Sequence, residues 1–151
     1  MLRSAKTSIN LLVFAFTDRV IMNELKNAKA RGVDVKIYMD YNQYRSQYRN
    51  SGASFIDLRL NVGQVKLVRR WNSGLLHHKV IFVDDKYLIL GSMNYSGAAV
   101  SSNDENFILI DNASSMIHDF RQEVARVDEQ AFLMPTTEDD GSYIPNTDNA
   151  D

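Results

Sequence analysis

Within Leu76–Asn94 (LHHKVIFVDDKYLILGSMN) an imidazole, an ammonium, a carboxylate and an amide stand at fixed intervals. The order is His77, one residue, Lys79, four residues, Asp84, six residues, Gly91-Ser92, one residue, Asn94. A neutral imidazole is available as a nucleophile or base near neutral pH, and an ammonium beside an amide can hold the oxygens of an anion. Residues two apart on a strand point to the same face, so His77 and Lys79 share one face and His78 takes the other. Asp84-Asp85-Lys86 has the composition of a tight turn. The strand returning from it brings Gly91, Ser92 and Asn94 back beside the pair. His77 and His78 do not suggest a metal site, because neighbours on a strand diverge and no third ligand is suitably spaced. The chain has no cysteine, which excludes thiolate zinc sites, disulfide scaffolds and cysteine nucleophiles.

The elements that must position these residues are legible around them. Ser8–Phe16 is a nearly continuous apolar run of strand length, the pattern of a strand buried on both faces. Thr17 and Asp18 are N-cap types; Val20, Ile21, Leu25 and Ala28 then recur at helical spacing, and Gly32 sits where a C-terminal cap belongs. Val33–Met39 alternates as a strand. A strand, a helix and a strand in this order form a βαβ unit, with parallel strands and a right-handed crossover. Met1–Lys6 reads as the last turn of a helix, Asn42–Arg49 as a short helix or a loop, Ser54–Leu60 as a helix end and Gln64–Val68 as a strand. His77–Val83 and Tyr87–Leu90 read as a hairpin, Ser96–Asp104 as a loop, Glu105–Ile110 as a strand and Ala113 to about Phe132 as an amphipathic helix. The expected fold is α/β, a mixed, largely parallel sheet flanked by helices. One domain is expected over residues 1–132, with a disordered acidic tail over 133–151.

The spacing H-x-K-x4-D-x6-G-S, followed by Asn94, resembles the HKD motif of the phospholipase D superfamily. Asn103-Asp104-Glu105-Asn106 resembles the family's downstream acidic position, and Ser8–Asp40 its strand–helix–strand segment, so the likeness covers most of residues 4–130. It is strongest to the single-motif subgroup, which includes bacterial endonucleases of the Nuc type and mitochondrial cardiolipin hydrolase/Zucchini. The resemblance implies a phospholipase D/nuclease-like sandwich that lacks its usual first strand and helix. It implies phosphodiester hydrolysis through a phosphohistidine at His77, whose other ring nitrogen donates to Glu105. Lys79 and Asn94 would hold the non-bridging oxygens, supported by Asp84, Gly91 and Ser92. One motif supplies one histidine, so the resemblance also implies a homodimer in which a second His77 is the general acid. No metal and no other cofactor is implied.

Charge bears on the substrate. The net charge of −2 conceals a cationic body, because residues before Asp128 hold all seventeen basic residues and only twelve of the acidic ones. Such a body suits a polyanion; a solvated, lysine-rich surface is the plainer explanation. Tyr41, Tyr44, Tyr48 and Trp71 interleave with Arg45, Arg49, Arg69 and Arg70. They form either a groove that stacks bases and holds phosphates, or aromatic residues packed partly in the core under snorkelling arginines. On the first reading Tyr44, Arg45, Arg69, Arg70 and Trp71 bind substrate. His118 reads as an exposed helix residue. Three functions stand: a metal-independent nuclease on DNA or RNA, a phospholipase on lipid headgroups, and a non-catalytic binding module. The visible chain carries no signal peptide and no membrane-spanning run.

Overall fold

The computed structural model describes residues 1–70 and 74–136. Its centre is one seven-stranded sheet, formed by β1 (Ser8–Val13), β2 (Asp34–Asp40), β3 (Gln64–Val68), β4 (Lys79–Val83), β5 (Tyr87–Gly91), β6 (Phe107–Ile110) and β7 (Ala131–Leu133). The order across the sheet is β6-β5-β4-β1-β2-β3-β7. The α/β class and the mixed sheet are as expected, but the sheet is not largely parallel. Parallel pairing is confined to β1 with β2 and β2 with β3, while β4, β5, β6 and β7 all pair antiparallel. The reason lies at the centre: β4 enters beside β1 from the opposite direction and carries its hairpin partner with it.

Both sheet faces are covered over the middle strands, which is why β1 reads as a continuous apolar run. Ile9, Leu11 and Val13 pack with Ile37 and Met39 under α1 (Arg19–Ala30) and α2 (Tyr41–Val62), whereas Leu12 and Phe82 face Ile117 and Val127 of α4 (Ser114–Asp128). Each such side chain, fully withdrawn from water, contributes about 1.5–3 kcal/mol relative to exposure. α1 begins where Asp18 accepts from the Val20 and Ile21 amides, and the chain leaves it through Gly32 at a φ of +92°. Coverage fails at the β6 edge, where Phe107, Ile108 and Leu109 are each more than half exposed.

Four sequence expectations change. Asn42–Arg49 and Ser54–Leu60 are parts of one 22-residue helix, α2, whose buried side is Tyr41, Tyr44, Phe55, Leu58 and Val62. Polar neighbours and Gly52 hid the period, because tyrosines take core positions there. Residues Ser96–Asp104 contain a short helix, α3 (Gly97–Ser101), with Ser96 as its cap. The C-terminal helix stops at Asp128, and Phe132 belongs to β7, which pairs with β3; Met134 beyond it is buried. The start of the chain is a single 3-10 turn, Leu2–Ser4, rather than an α-helix end. No helix among the described residues is long and apolar enough to cross a membrane. The rest of the expected acidic tail, from residue 137, lies outside the described residues.

Candidate active site

The register brings the chemistry-bearing residues to one end of the sheet. The parallel strands β1, β2 and β3 finish together, with Val13 beside Met39 and Asp40 beside Val68. Lys79 opens β4 directly opposite Val13, and Gly91 closes β5 opposite Phe107, the first residue of β6. Loops leaving the carboxyl ends of parallel strands are where open α/β sheets place ligands.

His77 precedes β4 rather than lying within it, yet it shares a face with Lys79 as the alternation requires. Lys79 Nζ is 3.1 Å from both Nδ1 and Nε2 of His77 and donates to the His77 carbonyl oxygen at 2.9 Å. The His77 side chain stands in an exposed position, whereas Lys79 is only 8% exposed. Burial pushes the Lys79 ammonium below the usual lysine value, against the opposing pull of the Glu105 carboxylate. Phe14, one residue past β1, lies against both groups: its ring centroid is 4.5 Å from that of His77 and 4.9 Å from Lys79 Nζ.

Ser92 and Glu105 meet across β5 and β6. Ser92 Oγ donates to Glu105 at 2.6 Å and accepts from the Asn106 amide at 3.2 Å, and Asn103 adds a second donor to Glu105 at 3.2 Å. These hydrogen bonds, from Ser92 first and Asn103 second, hold the Glu105 carboxyl below its ordinary range, and Lys79 adds to them. The implied hydrogen bond from His77 to Glu105 is not among those formed by the described residues, where the Glu105 oxygens are taken by Ser92 and Asn103. Gly91 is required by close approach: a Cβ there would sit 2.3 Å from the Asn106 carbonyl oxygen. Asn94 has a buried Oδ1 with no partner among the described residues. A buried oxygen left unpaired costs about 1–3 kcal/mol, and groups of this kind call for an explanation such as function. Its neighbour Tyr95 is locked to the segment after β1, accepting from Thr17 and Asp18 and donating to Ala15.

Residues 1–127 match the family model described as cardiolipin synthase, PLD-like domain. The chain belongs to this phospholipase D-like family. It is 35% identical to a phospholipase D of Rickettsia bellii over 113 residues, 73% of this chain and 52% of that protein. It is 30% identical to human mitochondrial cardiolipin hydrolase over 129 residues, 85% of this chain and 48% of the other. Thus the chain spans about half the length of the curated relatives it matches. Among solved structures, the phospholipase D family member Nuc from Salmonella typhimurium superposes with a TM-score of 0.74 at 34% identity, covering 87% of this chain and 84% of that one. NucT from Helicobacter pylori superposes at 0.75 with 24% identity, over 88% and 86% of the two chains, a likeness of fold.

Within this phospholipase D-like fold, Asp84 and the His78 side chain lie apart from the His77–Lys79 pair. Asp84 lies at the other end of β4, in a turn where it and Asp85 have φ of +54° and +52°. Its carboxylate accepts from the amides of Lys6, Thr7 and Ser8 at 2.7, 2.8 and 2.9 Å, and from Thr7 Oγ1 at 2.9 Å. Partial burial opposes ionisation there, and the amide donors overcome it, so the Asp84 pKa is lowered. His78 takes the opposite face, its Nε2 3.0 Å from Glu123 beside Phe120. Arg126 first, and His78 after it, hold the Glu123 carboxyl down at about 2.

The expected base-stacking groove is only partly present. Tyr44 is 2% exposed and packs on Phe55 and Tyr48, so it is a core residue and not a substrate contact. Arg45 and Arg69 instead lie over the ring of Tyr41, at 5.8 and 5.5 Å from its centroid. No carboxylate among the described residues pairs with Arg45, Arg69 or Arg70. Trp71 lies outside the described residues. Sequence reasoning missed Asp40, which is 2% exposed, caps α2 through the Gln43 amide and accepts from the Leu76 amide at 2.9 Å. An aspartate between a strand and a helix is a capping signal; its grip on the residue before His77 leaves no trace in the sequence.

Proposed function

We propose that the protein hydrolyses phosphodiester bonds in nucleic acid, with His77 as nucleophile. The observation that carries this reading is the contact of the Lys79 ammonium with the His77 ring, at the sheet end where Arg45, Arg69 and Arg70 stand without a carboxylate partner. A bound phosphate oxygen would draw Lys79 away and free the ring nitrogen for attack. The nitrogen–phosphorus bond forms as the ester oxygen leaves with its electron pair. Water then bonds to phosphorus and the nitrogen departs, regenerating the imidazole. Lys79 and Asn94 would hold the non-bridging oxygens through both steps. Arginines with no carboxylate partner, outside the reaction centre, suit the further phosphates of a strand.

The leaving oxygen needs a proton, and no other histidine of the chain faces the site. His78 is directed to Glu123 and His118 is hydrogen-bonded to Gln122 within α4. This supports a homodimer in which the second protomer's His77 supplies the proton and later activates water. The charge on phosphorus is then met by lysine, and no metal ion enters the scheme.

A second reading, a phospholipase, is favoured by an apolar cavity of about 170 Å³ that opens beside Lys79, lined by Ile21, Ile89, Met93 and Phe107. One panel separates the two: labelled single-stranded DNA, RNA and cardiolipin vesicles, each with EDTA, wild type against His77→Ala. We expect cleavage of a nucleic acid in EDTA and its loss, by about a thousandfold or more, in His77→Ala. Cleavage of cardiolipin alone would favour the second reading, and activity abolished by EDTA would remove the metal-free mechanism. A strict monomer in sedimentation that keeps full activity would remove the shared site.

A further inference from the structure

Three observations meet at Phe14, a residue that no motif singles out. Its ring centroid is 4.5 Å from the His77 ring with the planes tilted by 57°. Lys79 Nζ lies 4.9 Å from the same centroid. Its backbone amide donates to the His78 carbonyl oxygen at 2.9 Å, extending the β1–β4 ladder past the end of both strands. An aromatic face attracts a cation through its quadrupole, most strongly where water is excluded, and Lys79 is nearly buried.

We propose that Phe14 is a positioning residue for the His77–Lys79 pair. Its backbone fixes the segment on which His77 sits, and its ring seats the ammonium so that it stays charged although buried. This rests on the reading of His77 and Lys79 as the reacting pair. The charged and titratable groups facing Lys79 are His77 on its own segment and Glu105 before β6; Tyr95, whose phenol burial pushes up, lines the same cavity as Lys79. Burial disfavours the ammonium, while Glu105 and the Phe14 ring favour it. Leucine at position 14 would keep the apolar cover and lose the quadrupole, so the Lys79 pKa should fall. Tyrosine would retain the ring and restore it.

The test compares Phe14→Leu and Phe14→Tyr with wild type on bis(p-nitrophenyl) phosphate, and follows Lys79 titration by side-chain NMR. For Phe14→Leu we expect kcat to fall about tenfold with KM within about twofold. The alkaline limb of the rate profile and the NMR titration should both move to lower pH. Phe14→Tyr should lie within about twofold of wild type in both measures. An unshifted Lys79 titration in Phe14→Leu would overturn the proposal, and so would equal losses in the two variants, which would point to packing alone. The NMR measurement remains readable in a protein that hydrolyses nothing, so failure of the hydrolase reading and failure of this one are distinct results.

Discussion

The two ends of the sheet treat charge in opposite ways. At the end away from the site, acids and bases are matched: Arg121 with Asp85, Lys86 with Asp111, Lys36 with Asp34, and the Asp84 carboxylate with three amides and a hydroxyl. At the site end, Arg45, Arg69 and Arg70 have no carboxylate partner among the described residues, and Lys79 is held by His77 and the Phe14 ring. One end is settled within the chain, whereas the other is left able to receive an anion. A single motif spans the distance between them, with His77 and Lys79 near one end of β4 and Asp84 just past the other. The lesson is that a signature can mix residues selected for chemistry with residues selected for folding, and only their surroundings distinguish them.

This contrast can be broken by experiment. The largest effect should come from Lys79→Met, which removes the charge from a nearly buried position. We expect kcat to fall about a hundredfold or more, while the melting temperature stays level or rises, because a desolvated ammonium is lost. A drop in melting temperature with kcat intact would reverse the assignment. Asp84→Ala should do the opposite, leaving three amides without their acceptor. A loss of about 2–3 kcal/mol in urea unfolding is expected, with kcat within about twofold at temperatures where the variant is folded. Loss of turnover in a stable Asp84→Ala protein would make that carboxylate part of the site. The smallest effect belongs to Arg45→Ala with Arg69→Ala. KM for an oligonucleotide should rise about tenfold and the salt dependence of binding should flatten, since each lost phosphate contact reduces the slope by about one. Hydrolysis of bis(p-nitrophenyl) phosphate should stay unchanged; an equal loss on both substrates would place these arginines in the reaction itself.

What could be read in advance follows from how local each signal is. The cap at Asp18, the end of α1 at Gly32 and the hairpin turn at Asp84-Asp85 depend on a few adjacent residues, and all three occur where the sequence places them. The shared face of His77 and Lys79 needs only the alternation of an extended chain. α2 was obscured because Tyr41 and Tyr44 serve as core residues, which a hydrophobic pattern discounts. The pairing of β4 with β1, and the bonds from Asp40 to Leu76 and His78 to Glu123, join residues far apart in the chain, and nothing local announces them.

The uncovered β6 has a practical consequence. Unpaired backbone groups flanked by Phe107, Ile108 and Leu109 make a template for any extended chain that meets them, so aggregation at high concentration should begin there. Leu109→Lys would set a charge on that edge and should discourage the association, which light scattering at increasing concentration would show.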